Sequence, residues 1–418
     1  MHKGKLLSIL VTVALLVTAL SAPAAAQEDT TLTVWGFVWT ADWLESIAAD
    51  FEAAHPGVTV EVVRFEYEAY LDAIVTSLAS GEEVPDVATL DPMWAGDLIR
   101  DGAVVALDGI EEDLNPEDFF GGWELCGYNG KQYGVPADLD FNLVFYRTDI
   151  YGPAIEEAGL DGFPVNTEQF LAVAQAISND EQAAILLRPN DYYTWYQGFL
   201  VPYGGHIYNE DFTGYRLNEP EAVEALKFYS DLANVYNVAL LWNDEVDGDP
   251  VSVLKEGEVL AIMQGSWYAT ELEAALPEME GMWGVAPMPF GPEDREYHSA
   301  AGGACFSIPV AADDQDLAYD FLVYMEDPEV MATYYDVVGG VPSLTTAWEF
   351  TDLNAVNEYF GVALGQQVAE WSEGVVGMEL PSSETAEALG EAMYMVIMED
   401  MDPQEALDAA VEASPPLE

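Results

Sequence analysis

The first hundred residues alternate strand-like and helix-like stretches at a pitch few folds accept. TLTVWGFV (31–38) reads as a strand; in the ADWLESIAADFEAAHPG that follows, Leu44, Ile47, Ala48 and Phe51 fall at helical spacing until His55-Pro56-Gly57 stops it. VTVEVVRF (58–65) sets Val58, Val60 and Val62 on one strand face, and the next helix carries Tyr70, Leu71, Ile74 and Leu78 and ends at Gly81. VPDVATL makes a third strand and WAGDLIRDG a third helix closed by Gly102. This order predicts an α/β fold, a mainly parallel sheet flanked by helices. Ligands of such sheets bind beyond the carboxyl ends of the strands. Here those ends are Trp39-Thr40 and Leu90-Asp91-Pro92-Met93-Trp94.

The alternation restarts after YGVPADLDFNLVFYRTDI. Asn166, with Gln169 three residues on, caps the helix TEQFLAVAQAI; a second helix covers 221–236, and VLAIMQ is the strand after it. The last quarter is mostly helical, including 316–325 and 383–400. No long linker separates the two alternating runs, so the chain is expected to cross between two lobes through short strands that form a hinge, near Leu139 and Ala301. The stretch VLAIMQGSWY (259–268) predicts a strand ending at Gln264 and a turn at Gly265-Ser266 too small to cover Trp267. Trp267 is then either core, as most large aromatics are, or held over a cleft with Tyr268 packed behind it.

The leader explains where such a chain works. MHKGK, an apolar run and Ala24-Ala25-Ala26 form a secretory signal, with cleavage expected after Ala26. No cysteine precedes Cys126, so the 392-residue product is expected to be free rather than lipid-tethered. Losing Lys3 and Lys5 leaves nine basic side chains against 76 acidic ones, a net charge near −67. That field repels nucleic acid and anionic membrane. Hydrophobic residues at 50% mean a folded protein with an acidic skin, one expected to need salt to screen its self-repulsion. Adaptation to a high-salt habitat and an ordinary acidic lineage both account for it.

Metal chemistry finds little support. His55, His206 and His298 have no ligand spacing, and NDEVDGD (243–249) has Leu254 where an EF-hand needs Glu, so it reads as a solvated acidic loop. No metal and no cofactor is expected. Cys126 and Cys305 lie in an exported chain where pairing is permitted, although sequence gives no distance between them. Pairing would join a strand of the first lobe to the strand returning to it.

The ordered set LTVWGF, DFEAAHPGVTVEVV, PDVATLDPMWAGDLIRDGAVVALD, YNGKQYGVPADLDFNLVFYRTDIY, VLKEGEVLAIMQGSWY, WGVAPMPFG and GGACFSIP resembles the extracellular solute-binding proteins of ABC importers. The branch it is most similar to is the sugar-binding one typified by maltose-binding protein. The resemblance implies two α/β lobes, 27–139 with 301–326 and 140–300 with 327–418, joined by crossover strands that close on a ligand. It implies a monomer that delivers a neutral sugar or oligosaccharide to a membrane permease, and not an enzyme. By position it implies Trp267 as a stacking residue, Tyr192 and Tyr193 on the cleft floor with Trp195 in the core, and Trp39, Thr40, Asp91, Trp94 and Asp140 as further ligand contacts. Two departures speak against maltose itself. LPSSETAEAL has no aromatic where that cleft has a tryptophan, and Trp39-Thr40 replaces a charged pair.

The chemistry agrees with the positions. Flat rings desolvate the C–H face of a sugar, and carboxylates accept hydrogen bonds from its hydroxyls. Two other classes stay open at this point. A polyamine or betaine would use the same aromatics through cation–π contact. A secreted glycosidase would need paired carboxylates, which carry little information in so acidic a chain.

Overall fold

The computed structural model describes residues 30–120, 123–291, 299–300 and 302–417. The leader and Ala301, one of the two expected crossover points, lie outside the described residues. Strands β1 (Thr30–Phe37), β2 (Val58–Phe65) and β3 (Val87–Leu90) pair in parallel with β1 in the middle. The helices between them, α1 (Val38–Ala54) and α2 (Tyr67–Ser80), return the chain so that each strand runs in the same direction. α1 buries Trp43, Leu44, Ile47 and Phe51, the stripe that its 3.6-residue period predicts. It begins directly at Val38, so Trp39 and Thr40 sit in its first turn rather than in a loop. α3 (Pro92–Arg100) starts with proline at its first position and Asp91 as N-cap, whose carboxylate accepts from the Met93 N–H at 2.8 Å.

On the other side of β3 the direction reverses. Cys305–Ser307 pairs antiparallel with β3 and with Gly134–Pro136, completing a five-stranded sheet. In the second lobe Asn142–Arg147 lies between Ala261–Gly265 and Trp283–Pro287, antiparallel to both, while Ile185–Leu187 and Ala239–Leu241 pair in parallel. Cys126 and Cys305 form a disulfide with Cα atoms 5.8 Å apart; Cys126 lies in a 3-10 turn (Glu124–Cys126), not in a strand.

The helix Pro328–Val338 packs on the first lobe. The Trp43 indole N–H donates to Thr333 Oγ1 at 3.0 Å, and the Trp43 and Tyr334 rings meet at 5.1 Å. The chain beyond 326 therefore still packs beside α1, and Val341-Pro342 pairs antiparallel with Asp138-Leu139. Away from the crossovers the lobes also touch. Asp97 on α3 accepts from the Ser383 N–H at 2.9 Å, and Arg100 donates to the Leu380 carbonyl at 3.1 Å.

Candidate functional site

The crossovers gather acids. Asp138 and Asp140 are two residues apart on an extended segment and so lie on one side of it. Asp138 Oδ1 accepts from the Ala304 N–H at 3.1 Å, tying one crossover to the next. Asp140 is buried, bridges Gly302, and with Oδ1 accepts both the Ser266 N–H at 2.7 Å and the Ser266 hydroxyl at 2.8 Å. Asp91 comes from the carboxyl end of β3. A first-lobe strand end, a crossover and a second-lobe turn thus converge. Gly303 permits the approach: it holds φ +111°, and a Cβ there would stand 2.6 Å from the Asp138 carbonyl oxygen.

The three carboxylates act on one another. Burial, with a contribution from Asp140, pushes Asp91 up to about 6. Burial and then Asp140 push Asp138 up to about 7. Asp140 is raised by burial, against the pull of its two bonds from Ser266. Among the described residues no Lys or Arg forms an ion pair with any of the three. They are acceptors and, when protonated, donors, held in low dielectric. Among the described residues no cluster of His, Cys, Asp and Glu is arranged to hold a metal ion.

Aromatic residues surround the acids. Trp267 is 48% exposed, and its indole nitrogen and Asp140 Oδ2 crowd the same side of Gly265, where a Cβ would meet them at 2.3 and 2.6 Å. The strand before it runs to Gly265, one residue beyond expectation, and Tyr268 packs behind against Phe145 with ring centroids 5.5 Å apart. Trp39 is 44% exposed and stacks on Tyr67 at 5.9 Å. Burial and the neighbouring Asp91 raise the Tyr67 phenol. Tyr193 reaches the crossover, its hydroxyl 2.1 Å from where a Gly302 Cβ would stand. Tyr192 is buried beside it with a hydroxyl that finds no partner among the described residues, and Asp91 acts on it electrostatically.

Two expected contacts are placed elsewhere. Thr40 is wholly buried and its hydroxyl donates to the Phe37 carbonyl at 3.1 Å. Trp94 packs into the first-lobe core, stacked on Tyr70 at 5.8 Å and edge-on to Phe37 at 6.4 Å. Trp195 is core, as expected. Sequence reasoning missed Asp138 and Tyr67. The alternation in ADLDF was the available signal for Asp138; for Tyr67 there was none, since its role comes from the distant Asp91.

Two α/β lobes meet here over buried carboxylates and open aromatic faces, an arrangement with room for a small solute between them. The chain belongs to the bacterial extracellular solute-binding protein family, whose model matches residues 46–356. The family is one of extracellular proteins, so the chain is exported. It is 26% identical over 338 residues to the maltodextrin-binding protein MdxE of Bacillus subtilis (strain 168), covering 79% of this chain and 77% of that one. It is 24% identical over 258 residues to a putative binding protein of Brucella abortus (strain 2308); that match covers 60% of this chain but only 61% of the relative's length. The fold matches the sugar-binding protein MalE of Xanthomonas citri with a TM-score of 0.77 at 22% identity, over 92% of this chain and 96% of that one. All three are described as binding proteins rather than enzymes.

Proposed function

We propose that this chain is the substrate-binding component of an ABC importer, capturing a neutral sugar or oligosaccharide between its lobes and handing it to a membrane permease. The observation that carries the reading is the half-exposed Trp267 beside Asp140, a buried carboxylate held by Ser266 and, among the described residues, in no ion pair. A flat ring for the sugar's C–H face stands next to acceptors for its hydroxyls, the pairing a neutral polyol requires. The maltodextrin-binding name of the Bacillus relative supports the same ligand class. In this reading Trp39, Asp91, Tyr192 and Tyr193 complete the contacts, Asp138 joins them, and Thr40 and Trp94 support the wall from behind.

The first lobe comprises the segment up to Leu139 and the return that ends with the helix Pro328–Val338, and the protein works as a monomer. A thermal-shift screen of mono-, di- and oligosaccharides, with a polyamine and a betaine alongside, tests the proposal, because a ligand of the native state raises the melting temperature by mass action. A rise with saccharides alone is expected; a rise with the polyamine or betaine alone would overturn it.

A further inference from the structure

The Cys126–Cys305 disulfide sits where the first-lobe sheet runs into the crossovers, and both of its side chains are buried. Cys305 pairs with Leu90 on one side and with Pro136 on the other. Leu90 is the residue before Asp91, and Pro136 stands two before Asp138. The Cys126 carbonyl accepts from the Tyr133 N–H at 2.9 Å, immediately ahead of the strand Gly134–Pro136. The disulfide thus joins two neighbouring strands, one through a sulfur in its own ladder and the other through a backbone hydrogen bond at its entry.

Gly134–Pro136 has little else to hold its register. It is three residues long, it is the outermost strand of its sheet, and Pro136 has no N–H to give to the ladder. All three residues are buried, so no contrast between a core face and a solvent face fixes the pairing. A slip of one residue turns every following side chain of an extended segment to the other face. The chain that runs on from this strand carries the site. Ala304, next to Cys305, donates its N–H to Asp138 Oδ1 at 3.1 Å, and its carbonyl accepts from the Ala137 N–H at 2.8 Å. Asp140 bridges Gly302 and holds the Ser266 N–H, one residue before Trp267. A slip at the edge strand would break these contacts together and turn Asp138 and Asp140 away from them.

We propose that the Cys126–Cys305 disulfide is a positioning element of the binding site. It fixes the register of Gly134–Pro136 against Cys305–Ser307, and through that register the places of Asp138 and Asp140, so its loss weakens ligand binding beyond what lost stability explains. Binding constellations tolerate displacements of only about 0.5 Å, which is why a register tie acts on affinity. The proposal rests on the sugar reading above for its ligand alone.

The test compares the mature protein with Cys126→Ala/Cys305→Val, apolar replacements for two buried side chains, and with Leu322→Ala, which opens the core of the helix Gln315–Met325 without touching the crossovers. All are studied well below their melting temperatures. Should the double variant not accumulate in folded form, the parent folded with its disulfide and then reduced with dithiothreitol takes its place. Amide exchange read by mass spectrometry needs no ligand. In the disulfide-free protein it is expected to speed up at least about tenfold in 134–140 and 302–305, over any rise in Leu322→Ala. Calorimetric titration uses whichever of maltose, lactose and maltotriose the parent binds most tightly. Loss of the disulfide is expected to weaken it about tenfold, and Leu322→Ala to leave it within about twofold. Exchange at the crossovers no faster than in Leu322→Ala, or an affinity within about twofold of the parent's, would overturn the positioning role and leave the sugar reading standing. A parent that binds none of the three saccharides would overturn the sugar reading, and the exchange comparison would still decide the positioning role.

Discussion

Trp39 and Trp267 face solvent to almost the same degree, 44% and 48%, yet the two lobes hold them in different ways. Trp39 stands in the first turn of α1, one face stacked on Tyr67 and its ring tilted by 34° to that of Phe37 at 5.0 Å. Trp267 follows a short turn and meets only the edge of Tyr268, at 5.8 Å and 86° between ring planes. The first lobe offers a braced ring with one face spent on its own structure; the second offers a ring that, among the described residues, is not stacked on any other. Exposure alone therefore does not rank binding residues. What a ring leaves uncovered does.

The bracing of the first lobe extends to its covalent structure. The Cys126–Cys305 disulfide spans 179 residues and fastens the strand that pairs with β3, whose end carries Asp91. Reduction, or Cys126→Ser with Cys305→Ser, is expected to destabilise the protein by roughly 2–5 kcal/mol, the range for losing a disulfide that closes a long loop. Melting with and without reductant checks this. A midpoint unchanged by reductant would show that the first lobe does not depend on the link.

Next in size are the two tryptophans themselves. Trp267→Ala should cost about 1–3 kcal/mol of sugar binding, roughly ten- to a hundredfold, with little loss of ligand-free stability. Trp39→Ala should reverse the balance, costing affinity only a few-fold while losing about 0.5–1.5 kcal/mol of stability with its ring contacts. Titration and ligand-free melting of both variants sharpen the comparison; equal losses in both assays would break it.

A further effect concerns the crossover between the lobes. Asp138 is held up to about 7 in the folded protein against 3.8 for an ordinary Asp. A raised folded-state value favours folding fully below about pH 4, and that contribution is lost as pH rises through about 7. Asp138→Asn mimics the protonated form, so it should match the parent near pH 4 and be the more stable of the two at pH 8. Denaturant unfolding at the two pH values decides. A variant less stable at pH 8 than at pH 4, relative to the parent, would contradict the account.

Much of this was legible in the sequence where local pattern decides the outcome. The strands and helices through Arg100 follow from apolar period and stop signals, and Asn166 caps its helix by accepting from the Gln169 N–H at 2.9 Å. GSWY gave both the turn and the ring that it leaves open. Most of the misplacements share one cause, which is contact distant in sequence. Trp94 is core because Tyr70 arrives from α2 to stack on it. The helix Pro328–Val338 belongs beside α1 because Trp43 reaches Thr333 across 290 positions. Asp138 matters only because three crossovers meet at it, and no period along the chain encodes that meeting. Thr40 fails for a local reason: α1 starts without a loop, which turns its hydroxyl back to Phe37.

Closure of two lobes on one sugar is the centre of this account, and small-angle scattering addresses it most directly. A ligand that touches both lobes favours the closed state by its differential affinity for it. With a saturating concentration of the saccharide that raises the melting temperature most, the radius of gyration should fall below that of the ligand-free protein. An unchanged scattering profile under saturation would contradict a cleft that closes around the hinge near Leu139.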